Sequence, residues 1–470
     1  MRLGDGLRWF LFFLMGWSHM VMAAQEAPLP DWQQAILQQG AQGGRLELFR
    51  IAGSNTIGAH LAPDMVAGFF RAEGLRDVTV EAVAENSVLV SGTLMAGKRP
   101  LQLVVPVQAH GTRTGFQALA QGSAVLAAAS RRIRPEEAKP LGPLAQLQGA
   151  GHEQVVAVDG LAIIVHPSNP LQKLDLRQIR NLFTGRVRNW AEVGGSPGPV
   201  NLLARDEKSG TRDTFDALVL QDQPLATGAR RFESNEQLAE AVLADVSAIG
   251  FVPLALVGQT RALAVADGNS VALAPTTLTV ATEDYPLSRR LYFYRVEAGQ
   301  RAPALDAFLG FVHSDAGQRV VTDTGFVAQS LHPVAVTAAD TRLGGWSRLN
   351  MNIRFEEGSS ELDNKARQDV QRLTDFLNNS AGAGMAVTLV GYSPADDARG
   401  LSRLRAQNVR WQLRQQGVDG RVATLAGDAT LVAGLDSVQA ERNRRVEIWV
   451  RTAEGKEAGP HRADMAERQP

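Results

Sequence analysis

The chain has 470 residues, 44% of them hydrophobic, enough for two or three compact domains that each bury a core. Lys and Arg number 48 against 49 Asp and Glu, so no positive field draws the protein onto nucleic acid or anionic lipid. Cysteine is absent, which excludes disulfides, thiolate metal sites, a cysteine nucleophile and the lipid-attachment cysteine of a bacterial lipoprotein.

Residues 1–24 read as a secretory signal: Arg2 and Arg8 flank the charged start, Trp9 to Met15 are apolar, and Val21-Met22-Ala23-Ala24 offers small residues for cleavage. The apolar run is broken by Gly16, Ser18 and His19, whereas a membrane-spanning helix needs ~20 apolar residues. No transmembrane segment is therefore expected in the mature chain, and export would deliver it to the periplasm. From about Arg45 to Val327, short β-rich runs (Leu46 to Ile51, Val78 to Val83, Leu101 to Val107, Val155 to Val165, Val200 to Leu203, Leu291 to Val296) alternate with helical stretches. Such alternation predicts an α/β fold with largely parallel sheets.

Periodicity lapses between Leu331 and Trp346, so a linker is expected over 333–347, separating a unit at 25–332 from a second at 348–452. The second unit begins with a strand around Met351 to Phe355. There follow a helix (Asn364 to Asn378), a strand (Met385 to Leu389), a helix (Leu401 to Gln416), a short strand (Val422 to Leu425) and a last strand (Arg445 to Val450). The tail, 453–470, is charged and has no hydrophobic face, so disorder is expected there.

Three segments share one design, a strand entering a small, hydroxyl-bearing turn that opens a helix. They are Gly53-Ser54-Asn55-Thr56, Gly111-Thr112-Arg113-Thr114-Gly115 and Arg205-Asp206-Glu207-Lys208-Ser209-Gly210-Thr211. After the first, Ile57, Leu61, Met65 and Phe69 recur four apart, with Val66 and Phe70 beside them, the stripe of a helix docked on a sheet. Unpaired amides at helix starts, hydroxyl donors and the planar fork of Arg205 suit a small oxyanion. Each turn alone also reads as an ordinary helix cap.

Taken together, the three turns resemble the loops of phosphate-binding periplasmic proteins of ABC transporters. The resemblance spans roughly residues 45–330. It includes Ala129-Ser130-Arg131, the run Asp159-Gly160-Leu161 to Pro167, Phe183-Thr184-Gly185 with Asn189-Trp190, Ala248-Ile249-Gly250-Phe251, and Tyr285-Pro286-Leu287-Ser288-Arg289. It implies a two-lobed type II periplasmic binding fold. The residues it places on phosphate, or a related oxyanion, are Ser54, Asn55, Thr56, Thr112, Arg113, Arg205, Glu207, Ser209, Gly210 and Thr211. Glu207, if buried, would accept a hydrogen bond only from a protonated oxyanion and so select against sulfate. Val125 stands where the family has a second acceptor Asp, Arg113 where a Gly is usual, and Lys208, also at a Gly position, reads as a solvated loop residue. An ABC permease is the partner the family implies.

Residues 348–452 resemble the small α+β OmpA-like peptidoglycan-associated domain. The likeness rests on Ile353-Arg354-Phe355 before Ser359 to Leu362, Gly391-Tyr392-Ser393, Leu401-Ser402-Arg403-Leu404-Arg405-Ala406 and Asn443-Arg444-Arg445-Val446-Glu447-Ile448. That family implies peptidoglycan as ligand, with an arginine and an aspartate clamping a zwitterionic wall peptide. Arg405 takes the first place. Pro394 occupies the second, in a shortened loop where Asp396 and Asp397 are the available carboxylates.

No His-x-x-x-His pair is present, and Gly194-Gly195-Ser196-Pro197-Gly198 reads as a Gly- and Pro-rich loop, so no catalytic residue, cofactor or metal is assigned and a non-enzyme is expected. Two functions remain: capture of an oxyanion by a periplasmic protein attached to the wall or outer membrane, and a structural envelope protein whose anion cleft is vestigial.

Overall fold

The computed structural model describes residues 29–38, 44–96, 99–149, 151–207, 209–221, 223–268, 270–296, 302–336, 341–355, 358–379, 381–393, 400–418, 420–427 and 442–452. The expected signal sequence and the C-terminal tail lie outside these residues.

The strand Glu153–Val165 organises the first two-thirds of the chain. Its apolar residues are nearly continuous and all but Gln154 are buried, the signature of a strand covered on both faces. From Glu153 to Gly160 it pairs antiparallel with Ser288–Arg295, and from Leu161 to Val165 antiparallel with Ala248–Pro253. It thus belongs to two lobes at once, in the middle of a twelve-stranded sheet.

On the lobe-one side the sheet continues from Ser288–Arg295 through Leu126–Ala129, Ile51–Gly53, Arg99–Gln108 and Ser87–Ala96 to the edge strand Arg76–Ala84. The helix Leu61–Ala72 lays Met65, Val66, Phe69 and Phe70 on it, all fully buried, and Phe69 meets Phe308 of the helix Ala302–His313 edge-on. Lobe two adds Asn201–Arg205 and Arg230–Phe232 beyond Ala248–Pro253. Its core holds Phe183, Phe215 and Phe251, the last two stacked with centroids 3.9 Å apart.

The sheet is mixed, not largely parallel. Ser87–Ala96 pairs antiparallel with both Arg76–Ala84 and Arg99–Gln108, and Ser288–Arg295 is antiparallel to both its neighbours. Neighbouring strands joined by a tight turn can only run antiparallel, whereas parallel neighbours need a crossover. Asn86, at φ 53°, takes the left-handed position that such a turn demands. The run Leu46 to Ile51 also divides, into Gly44–Glu47 and Ile51–Gly53.

The C-terminal unit is a five-stranded sheet in the order Pro333–Val334, Ser347–Arg354, Arg445–Arg451, Ala386–Gly391, Val422–Ala426. Helices Asn364–Asn378 and Leu401–Gln415 cover one face. The stretch expected as a linker therefore begins inside this sheet. Along Ser347–Arg354, Leu349, Met351 and Ile353 enter the core while Arg348, Asn350, Asn352 and Arg354 take the opposite face.

That polar face docks on the lobes. Asp284 accepts from Arg348 at 2.8 Å, Arg354 at 2.9 Å and Asn352 at 2.9 Å. Its neighbour Glu283 takes a bidentate bond from Arg290 at 2.7 and 2.8 Å and lies 3.7 Å from Lys365. Burial alone would raise both carboxyls. Arg290, Lys365 and Arg354 instead hold Glu283 well below the usual carboxylate range, and Arg348, Arg445 and Arg354 do the same for Asp284.

Depressed carboxyls contribute stability that is complete above their unfolded pKa, about 4, and is lost as pH falls through the folded values. The thermal midpoint of the whole chain is expected to stay level from about pH 7 to 5 and to fall below about pH 4. In Glu283→Gln/Asp284→Asn that acid-induced fall should shrink, and calorimetric melts across the range check it.

Candidate functional site

Two of the three turns singled out in the sequence, those at Thr56 and Gly210, meet from opposite lobes. Gly53 ends its strand at φ 136°, and a Cβ there would stand 2.1 Å from the carbonyl oxygen of Ala128. Only glycine lets the chain turn so close to the next strand and start the helix Asn55–Gly58. On lobe two, Asn201–Arg205 runs through its turn into Gly210–Phe215, where the Ser209 hydroxyl caps the helix by accepting from the Arg212 amide at 3.3 Å. The two helix starts touch. A Cβ on Gly210 would lie 2.5 Å from the Thr56 amide nitrogen, and Thr56 Oγ1 donates to the Gly210 carbonyl at 3.1 Å.

Beneath this contact lies a buried ion pair, Arg289 Nε to Asp159 Oδ2 at 3.2 Å, with both side chains under a tenth exposed. The second arm of the Arg289 fork donates to Thr56 Oγ1 at 2.7 Å and to the Gly210 carbonyl at 3.2 Å, so one guanidinium ties the inter-lobe strands to lobe one and lobe two together. Burial lowers the Arg289 pKa against the opposing pull of Asp159. Thr214 Oγ1 completes the cluster, 3.4 Å from Asp159 Oδ2 and 2.9 Å from the Gly210 carbonyl.

A cavity of about 630 Å³ opens between the lobes here. Of the residues assigned from the sequence, Asn55, Thr56, Arg205, Ser209, Gly210 and Thr211 line it. Ser54 is buried behind the wall, 2% exposed. Arg205 is half-buried, its guanidinium donating to the Phe232 carbonyl at 3.2 Å and the Glu233 carbonyl at 2.7 Å, and burial lowers its pKa. The wall also carries Asp64, Asp159, Glu233, Glu236 and Asp323, so carboxylates outnumber arginines around the opening. Burial raises the Asp64 carboxyl, opposed by His60 and Arg71.

Other assigned residues sit elsewhere. Glu207 is not a buried acceptor: its side chain is 74% exposed and pairs with Arg231 at 3.3 Å, because the turn before Gly210 directs it outward. Thr112 Oγ1 accepts from the Ser130 amide at 3.1 Å and lies 3.2 Å from the Ser130 hydroxyl, outside the cavity lining. Arg113, one step round the same helix, faces a separate cavity of about 340 Å³ with Phe116, Arg131 and Arg134. Val125 packs against the lobe-one core. In the C-terminal unit Arg405 does not face a cleft: it is fully buried, donating to the carbonyls of Ser359 at 3.0 Å and Tyr392 at 3.2 Å over the Phe355 ring. Lys208, Pro394, Asp396 and Asp397 lie outside the described residues.

Asp159 and Arg289 were not assigned, although both stand in segments that carried the resemblance. Their signal was an acid and a base inside apolar strands, where an unpaired charge would be costly to bury.

The PBP superfamily domain matches residues 80–316, more than half of the chain, and the OmpA family matches residues 354–445. The phosphate-binding protein PstS of Pseudomonas aeruginosa PAO1 is 30% identical over 245 residues, covering 47% of this chain and 73% of that protein. The chain belongs to the PstS family of the PBP superfamily. An OmpA domain follows the two lobes. The phosphate-binding protein PstS of Bacillus subtilis 168 is 26% identical over 267 residues, 56% of this chain and 84% of that protein. An ABC-type phosphate transport receptor from Vibrio cholerae, a solved structure, is 22% identical at a TM-score of 0.45 over 59% of this chain and 99% of its own. No helix among the described residues is long and apolar enough to cross a membrane.

Removing one partner of a buried ion pair typically costs about 3–5 kcal/mol. Arg289→Ala is expected to fall in that range, read as a shifted midpoint in urea unfolding. Asp159→Asn/Arg289→Met, which removes both charges, should recover most of the loss.

Proposed function

We propose that this chain captures inorganic phosphate, or a closely related oxyanion, between its two lobes. The observation that carries the reading is the convergence of Thr56 from one lobe with Arg205, Ser209, Gly210 and Thr211 from the other on one cavity. The naming of the PstS relatives as phosphate-binding proteins supports it. Hydroxyls, backbone amides and one arginine fork recognise oxygens without a cluster of lysines. Asp159, in place of Glu207, is the buried carboxylate on the wall, and it favours an oxyanion that still holds a proton over one that does not. The lobes close on the anion about the shared strands, as two-lobed binding folds do. A secretory signal at 1–24, a periplasmic location, an OmpA domain held by peptidoglycan and delivery to an ABC permease complete the reading.

A vestigial cleft in a structural envelope protein is favoured by one observation. Thr56 Oγ1 donates to the Gly210 carbonyl, and Arg205 Nε and Nη2 donate to the Phe232 and Glu233 carbonyls, so these donors are already committed within the protein.

Calorimetric titration of the refolded, anion-stripped chain separates the two. Phosphate is expected to bind at micromolar Kd or tighter, about −8 kcal/mol or better, with Arg205→Ala abolishing the heat and Asp159→Asn narrowing the preference over sulfate. No heat with either anion removes the capture reading and leaves the envelope scaffold.

A further inference from the structure

We infer that the OmpA domain is a brace on the hinge of the binding lobes, so that its seating and the width of the cleft are set together. This rests on the reading of the interlobe cavity as the ligand site. The hinge consists of Glu153–Val165 and Ser288–Arg295, and the domain grips both where they begin. At the first, the Glu153 carbonyl accepts from Asn364 Nδ2 at 3.1 Å and Gln368 Nε2 at 3.3 Å. At the second, Glu283 and Asp284 take Lys365, Arg348, Asn352 and Arg354.

Each grip leads along a strand to the cleft. Six residues after Glu153 stands Asp159, and five after Asp284 stands Arg289, the two halves of the buried pair beneath Thr56 and Gly210. Successive strand residues face opposite ways. Arg289 therefore turns to Asp159, Thr56 and Gly210, which line the cleft, while Arg290 turns back to Glu283, which the OmpA domain holds. Glu283 itself sits at φ 58°, a left-handed backbone that a side-chain-bearing residue keeps only where its surroundings impose it.

One helix, outside the cavity lining, touches both lobes. Asn364 bonds to Glu153 of lobe one, and the next residue, Lys365, pairs with Glu283 of lobe two. Asp363, its cap, lies 3.6 Å from Arg132 of lobe one. Rotating the lobes changes the distance between Glu153 and Glu283, and a rigid helix with adjacent residues on both resists that change. Packed interfaces of this kind switch between discrete arrangements instead of stretching.

The test uses the full chain with two variants, Asn364→Ala/Gln368→Ala and Lys365→Gln, and reads amide hydrogen exchange together with the phosphate Kd by calorimetry. Loosening the brace is expected to speed exchange in the hinge segments 155–161 and 286–292 by about tenfold and to change the phosphate Kd by about fivefold or more. A variant whose helix 364–378 exchanges faster while the hinge segments and the Kd keep wild-type values overturns the inference. Should Lys365→Gln fail to fold, the double alanine variant, which removes no charge, decides alone. If the wild-type chain takes up no phosphate, the cleft reading fails by itself and the exchange rates still judge the brace.

Discussion

The buried pair of Asp159 and Arg289 is the constraint around which the two lobes are arranged. Taking two charges out of water is expensive, and the mutual attraction repays it only when the remaining hydrogen-bonding capacity is also used. Here it is used across the lobes: the arginine's second arm reaches Thr56 on one side and the Gly210 carbonyl on the other. An apolar pair of similar volume would fill the space but could not specify how the two helix starts meet. The polar cluster sets that geometry, and the apolar cores around Phe69 and Phe251 give it rigid walls.

Much of the fold was legible because its periodicities are strong. The four-residue recurrence from Ile57 to Phe69 is buried as expected, although it divides between two helices, Asn55–Gly58 and Leu61–Ala72, and the strand–helix rhythm of the last unit corresponds closely to what folds. Strand direction was not legible, since alternation reports which face is buried and says nothing of which neighbour a strand selects. Ser87–Ala96 was passed over because its serines and glycine dilute the β-rich signal, and its partners, not its own propensity, hold it.

Within the site, the sequence marked three turns, and only part of two of them lines the cavity. Consecutive residues of a tight turn diverge, so Ser209, Gly210 and Thr211 face the cavity while Glu207 faces solvent, and Thr112 faces the strand end while Arg113 looks to the far side. Asp159 and Arg289 escaped because they lie within strands, where charge is read as pairing and its reach into a neighbouring cleft depends on long-range register. The docking face of Ser347–Arg354 was hidden for a related reason. Its alternating arginines and asparagines look like a solvated sheet surface until a second unit covers them.

That covered face bears on how the molecule can be taken apart. Two family patterns follow one another along the chain, and the natural temptation is to treat the boundary between them as a place to cut. A truncation before Pro333 would strip Asp284 of Arg348 and Arg354 and leave Glu283 with Arg290 alone. The severed OmpA domain would meanwhile expose a row of cations designed for burial. Moving this domain onto another binding protein therefore requires carrying Glu283 and Asp284, just ahead of Ser288–Arg295, along with it, so the unit that packs together is larger than the stretch the OmpA family matches.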